Sequence, residues 1–290
     1  MNYARTALLL AAMTGLFLVI GYLLGGAGGA VIAFVIALGM NAWSYWNSDQ
    51  AVLRMQGARP VTRAEAPGLV AMVEDLARKG GLPSPAVYIM DTAQPNAFAT
   101  GRDPEHAAVA VTRGLINTCS EEELAGVVAH ELAHIRNRDT LIMTITATIA
   151  GAIGFLTQFG LFFGRGRDNP LGMIGTLLVM LLAPLAAMLV QMAISRTREF
   201  AADRMGAEIC GHPEWLASAL QLIERQARGM TNPRAQENPA SAHLFIINPL
   251  RSGGLSGLFR THPPTAERVS RLNAMASGSA TGRATKGPWG

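Results

Sequence analysis

Residues 130–134 read His130-Glu131-Leu132-Ala133-His134, in a chain of 290 residues that holds only 6 histidines. On a helix, residues four apart share a face, so two imidazoles at this spacing can reach one metal ion with Glu131 beside them. A catalytic zinc takes three protein ligands and a water, and an acid one step from the first ligand is placed to take that water's proton. The same spacing on a strand would set the two rings roughly 13 Å apart, too far to chelate. The motif therefore needs a helix. Ser120 followed by Glu123 is a capping-box pattern, and Leu124, Val127, Val128, Leu132 and Ile135 recur at helical spacing behind it.

The third ligand has to come from elsewhere in the chain. A metzincin would carry Gly at 137 and His at 140, where this chain has Asn137 and Thr140. Further on, Glu199 and Asp203 lie four apart within Ser195-Arg196-Thr197-Arg198-Glu199-Phe200-Ala201-Ala202-Asp203. There Glu199 can ligate while Asp203 orients a ligand histidine; an ordinary charged helix face with Arg196 and Arg198 is the competing reading.

With these residues in view, the chain resembles the HtpX-type family of membrane-embedded zinc metallopeptidases, gluzincins in which a downstream Glu completes the two-histidine site. The likeness covers most of residues 1–275. It rests on the two stretches above, on Pro95-Asn96-Ala97-Phe98-Ala99-Thr100-Gly101, and on Thr261-His262-Pro263-Pro264 with Arg268. It implies one zinc per chain held by His130, His134 and Glu199, with Glu131 as general base and Asp203 behind a ligand. It also implies a substrate edge at Asn96, Ala97 and Phe98, and places His262 and Arg268 near the oxyanion. A capping His262 and an Arg268 in a carboxylate bridge are the structural alternatives for that last pair, and an Asx-turn is the alternative for Asn96.

Half of the residues are hydrophobic, 15% are charged, and the apolar ones come in blocks. No Asp, Glu, Lys or Arg occurs between Arg5 and Asp49. One helix of that length would run about 65 Å, twice the ~30 Å hydrocarbon core, so two spans turning at Gly25-Gly26-Ala27-Gly28-Gly29 fit better than one. A cleaved signal peptide is the rival, disfavoured by the second apolar span that follows at once. Residues 141–164 and 171–195 form two further apolar blocks on either side of a Gly/Arg-rich turn, read as a second transmembrane hairpin or as buried core helices. Arg5 before the first span and Arg54, Arg59 and Arg63 after the second place the termini and the catalytic part in the cytoplasm, at an inner, plasma-type membrane. The net charge of +4 is then explained by basic residues near anionic lipid, and no nucleic acid is needed. Cys119 and Cys210 read as small buried side chains.

The remaining chain reads as α+β. A helix opens at Pro67 and stops at Gly80-Gly81, short strands cover 86–90 and 107–112, and a long irregular stretch containing His243 precedes the last helix. The expected architecture is a mainly helical, zincin-like catalytic domain with a small sheet, joined to multi-pass membrane helices. Its parts are an N-terminal hairpin (1–48), two catalytic segments (49–140 and 196–276) around the second hairpin (141–195), and a disordered tail (277–290). The function this implies is cleavage of damaged or misfolded polypeptides, membrane proteins above all, in quality control under stress. A membrane scaffold with a structural zinc and a dedicated processing peptidase are the alternatives.

Overall fold

The computed structural model describes residues 2–146, 196–227, 246 and 263–283. Helix α1 (Asn2–Met55) is broken at Gly25 and Gly26, where Gly26 takes φ 60° and ψ −147°, a conformation open to glycine alone. The break falls inside the expected turn. The chain folds back on itself there, because Asn41 Nδ2 donates to Thr14 Oγ1 at 2.9 Å and to the Leu10 carbonyl at 3.3 Å. Among the described residues one helical stretch, Gly25–Met55, is long and apolar enough to cross a membrane, and Leu10–Val19 is a shorter apolar segment. Along the longer stretch Val31, Ile32, Val35, Trp43 and Trp46 are exposed. The second expected hairpin lies almost wholly outside the described residues, which stop at 146 in a buried helical stretch that begins at Thr140.

A mixed sheet follows, with strands β1 (Ala58–Pro60), β2 (Ala86–Met90), β3 (Ala97–Gly101) and β4 (Ala107–Thr112) in the order β1-β2-β4-β3. β2 and β4 are parallel, and the two outer pairs are antiparallel. The parallel pair needs a crossover, which β3 and a short turn of 3-10 helix (Pro104–His106) provide. β4 is buried on both faces, so its Ala-Val alternation fills two cores. On one face Val87, Ile89, Val109 and Val111 meet helices α2 (Pro67–Lys79), α4 (Glu121–Arg136), α5 (Arg196–Cys210) and α6 (Pro213–Ala227). On the other, Met90, Phe98, Ala108 and Ala110 meet Val52 and Leu53 at the end of α1, with Ile142 and Met143. The C-terminal end of α1 is thereby seated directly on the sheet.

The six-residue α3 (Arg113–Thr118) links β4 to α4, capped by Thr112 accepting from the Leu115 amide. α4 starts as its sequence requires. Ser120 Oγ accepts from the Glu123 amide at 3.1 Å, and Glu123 Oε2 accepts from the Ser120 amide at 3.0 Å. Burying Leu124, Val127, Val128, Leu132 and Ile135 contributes roughly 1.5–3 kcal/mol each, which offsets the cost of taking three polar site residues out of water on the same helix. α7 (Thr265–Arg283) closes the bundle against α6 and runs past residue 276, where a disordered tail was expected to begin. Both cysteines are free, and burial pushes the Cys119 thiol up to about 12.

Candidate metal centre

His130 and His134 project from the third and fourth turns of α4, and Glu199 reaches them from the first turn of α5. The two helices can approach this closely because α5 presents Gly206 to the backbone of His130. A Cβ there would stand 2.9 Å from both the amide nitrogen and Cα of His130, so any side chain would push Glu199 away from its partners. The two Nε2 atoms are 3.2 Å apart, and Glu199 Oε2 and Oε1 lie 3.8 Å and 3.7 Å from those of His130 and His134. A tetrahedral zinc with bonds near 2.0–2.1 Å needs donors about 3.3 Å apart, so the trio needs only a few tenths of an ångström of closure. All three residues are buried, with Glu199 the most open at 5%. Among the described residues two imidazoles and one carboxylate converge here, the three protein donors that a catalytic zinc takes. This donor set fits zinc, one ion per chain.

Each imidazole is turned by an acid on its far nitrogen. Asp203 Oδ1 stands 3.0 Å from His130 Nδ1, and Asp139 Oδ2 stands 3.3 Å from His134 Nδ1. Engaging Nδ1 in this way leaves Nε2 for the metal. Burial would raise the Asp203 carboxyl, but the Arg268 charge and its hydrogen bonds, with His130, hold it down at about 2. Without metal, burial pulls His130 down to about 4. Burial also pulls on His134, but the bond to Asp139 and the charges of Glu199 and Glu131 outweigh it and lift that ring to about 9.

Glu131 is fully enclosed beside the trio. Its Oε2 accepts the amide of Ala99 at 2.8 Å, and burial raises its carboxyl to about 7. A carboxylate poised near neutrality suits a group that must both take and return a proton. Ala99 belongs to β3, the edge of the sheet among the described residues. The Thr112 amide donates to the Asn96 carbonyl and Phe98 lies opposite Ala110, so residues 96 and 98 turn their main-chain groups toward β4. Ala97 and Ala99 turn theirs away, toward the metal helix. Of the three residues of the expected substrate edge, Asn96 bonds Thr112 and the Ile246 amide, Ala97 is buried in the first core, and Phe98 packs into the second.

Arg268 sits within the centre's supporting shell. It grips Asp203 with two prongs, Nε to Oδ2 at 2.8 Å and Nη2 to Oδ1 at 2.6 Å, and Nη2 lies 3.5 Å from His130 Nε2. Its Nη1 donates to the Ile246 carbonyl at 3.2 Å, and the Ile246 amide donates to Asn96 Oδ1 at 3.1 Å. A single loop residue thus ties the β3 side of the site to the Asp203 side. His262 and His243 lie outside the described residues. Asp139 and Ile246 were not anticipated from sequence. Asp139 carried a faint signal, an acid five residues past the second histidine; Ile246 carried none.

The sequence profile of Peptidase family M48 matches residues 63–276, from just before α2 to within α7. Among solved structures, the crystal structure of S. mikatae Ste24p aligns at 19% identity with a TM-score of 0.48 over 93% of this chain. The chain spans 65% of that protein's length. The family match, which covers well over half of the chain and every metal-facing residue, places it: this chain belongs to peptidase family M48, and His130, His134 and Glu199 are the residues placed to hold its zinc.

Proposed function

We propose that the protein is a membrane-integrated, HtpX-type zinc endopeptidase that hydrolyses extended polypeptides, misfolded membrane proteins among them, on the cytoplasmic side of the membrane. The observation that carries this reading is Glu131, whose Oε2 accepts the Ala99 amide of β3 beside the three-ligand metal centre, so that a proton acceptor, the ligands and a strand at the end of the sheet order share one place. A peptide laid along an edge strand is held by main-chain hydrogen bonds and needs no particular side-chain sequence, which suits clearance of varied damaged substrates. Zinc, when bound, supplies Lewis-acid polarisation of the scissile carbonyl and acidifies the attacking water. Glu131 takes that water's proton and delivers it to the departing amine nitrogen. Asp203 and Arg268 fix the His130 ring, and Arg268 contributes a buried positive charge beside the developing oxyanion. The family resemblance adds His262 to that side of the site.

Membrane integration is supported by the exposed apolar face of Gly25–Met55 and its terminal Trp43, Tyr45 and Trp46, and orientation by Arg5 and Arg54 at the two ends of the hairpin. One experiment tests both parts. Casein added to inside-out membrane vesicles carrying the full chain should be degraded in a chelator-sensitive way, and casein added to right-side-out vesicles should survive. Degradation confined to right-side-out vesicles would reverse the orientation. Intact casein even after detergent solubilisation of zinc-loaded protein would remove the endopeptidase reading.

A further inference from the structure

We infer that Asp139 is a positioning residue for the zinc ligand His134, and that Arg198 braces it from the helix that carries Glu199. α4 ends at Arg136 with Asn137 as its cap, and Arg138 then adopts φ 57°, the only positive φ outside glycine among the described residues. Side chains other than glycine enter that region rarely and at a cost. The turn brings Asp139 back beneath the last turn of the helix. There its amide donates to the His134 carbonyl at 2.9 Å while its Oδ2 meets His134 Nδ1 at 3.3 Å, so one residue holds both the backbone and the ring of the same ligand.

Asp139 lies past the carbonyl end of α4 but directly before the helical stretch that begins at Thr140, and its carbonyl accepts the Met143 amide at 3.2 Å, so it stands at an N-terminus where a carboxylate is favoured. Capping alone does not turn that carboxylate onto His134. Asp139 is also only 2% exposed, where an uncompensated charge is costly. Its partners supply the reason. His134 Nδ1 lies on one carboxylate oxygen, and Arg198 Nε faces the other at 3.8 Å. Arg198 immediately precedes Glu199, so the contact links the second ligand to the helix that provides the third. The arrangement repeats, on the opposite side of the centre, the His130-Asp203-Arg268 chain. Asp139, accepting the Nδ1 proton of His134, fixes the tautomer that offers Nε2 to the metal, as Asp203 standing 3.0 Å from His130 Nδ1 is placed to do for the other ring, and an arginine faces each acid.

The inference rests on the zinc centre and not on the choice of substrate. Its test is the zinc dissociation constant of the full chain in detergent, read by competition with a chromophoric chelator, together with the visible spectrum of the cobalt(II) form and the thermal midpoint of the metal-free protein. Asp139→Ala should weaken zinc by about 10- to 100-fold and shift the cobalt bands. Asp139→Asn, which keeps the shape and one acceptor oxygen, should weaken it by less, about tenfold, with the metal-free midpoint near the parent's. The Asn variant decides the matter if the Ala variant does not fold. Zinc affinity in folded Asp139→Asn indistinguishable from the parent, with unshifted cobalt bands, would overturn the role even if stability falls. A parent that binds no zinc would instead remove the metal centre itself.

Discussion

Glu131→Gln is expected to keep one zinc per chain and to lower casein cleavage by about 10²-fold or more. The Gln side chain has the same shape and still offers an oxygen to the Ala99 amide, which Glu131 holds at 2.8 Å, so the packing between α4 and β3 has no reason to change. Burial already lifts the carboxyl to about 7, so removing its charge relieves desolvation instead of breaking an essential ion pair. The loss is confined to proton transfer. Zinc content by elemental analysis and initial rates on the same preparation check both halves. Loss of zinc along with activity would make Glu131 a ligand, and activity within tenfold of the parent would deny it the role of base.

The second large effect separates Glu199 from Asp203. Glu199→Ala removes a donor to the metal and should empty the site at micromolar zinc, while the fold persists. Asp203→Asn keeps the His130 contact without the charge and should weaken zinc by about 10- to 100-fold. Asp203→Ala is a harsher change than its place behind the ligand suggests. It strands the Arg268 guanidinium, which is 1% exposed and gripped at two points, and breaking one side of a buried ion pair costs about 3–5 kcal/mol. Zinc per folded chain, measured beside thermal unfolding, distinguishes the cases. Equal zinc retention in Glu199→Ala and Asp203→Asn would move the third ligand elsewhere.

The helix bearing the metal motif was readable because its signals are local. A capping box, an apolar stripe and a four-residue histidine spacing all act within a few turns, and each is found in place. The same holds for the glycine break at Gly25-Gly26 and for Pro67 and Gly80 bounding α2. β1 escaped because three residues ending in Pro60 show no alternation, and the strand exists only through its pairing with β2. Glu199 and Asp203 had the right spacing, but an ordinary charged helix face has it too. What separates the readings is Gly206, which lets α5 sit against His130. Asp139 was hidden for a different reason. Its role depends on a left-handed Arg138, a conformation that the residue type does not advertise. The Arg268 partnership joins residues 65 apart in the chain, and nothing short of the folded structure brings them together.

The X-ray absorption spectrum at the zinc edge of the loaded full chain reads out whether two imidazoles and one carboxylate hold a zinc with a position left open. The expected spectrum shows a shell of nitrogen and oxygen donors at about 2.0–2.1 Å, with outer-shell scattering from two imidazoles, one carboxylate and an exchangeable light atom that azide displaces. Sulfur scattering at about 2.3 Å, or a closed shell of four protein ligands that azide leaves unchanged, would contradict it.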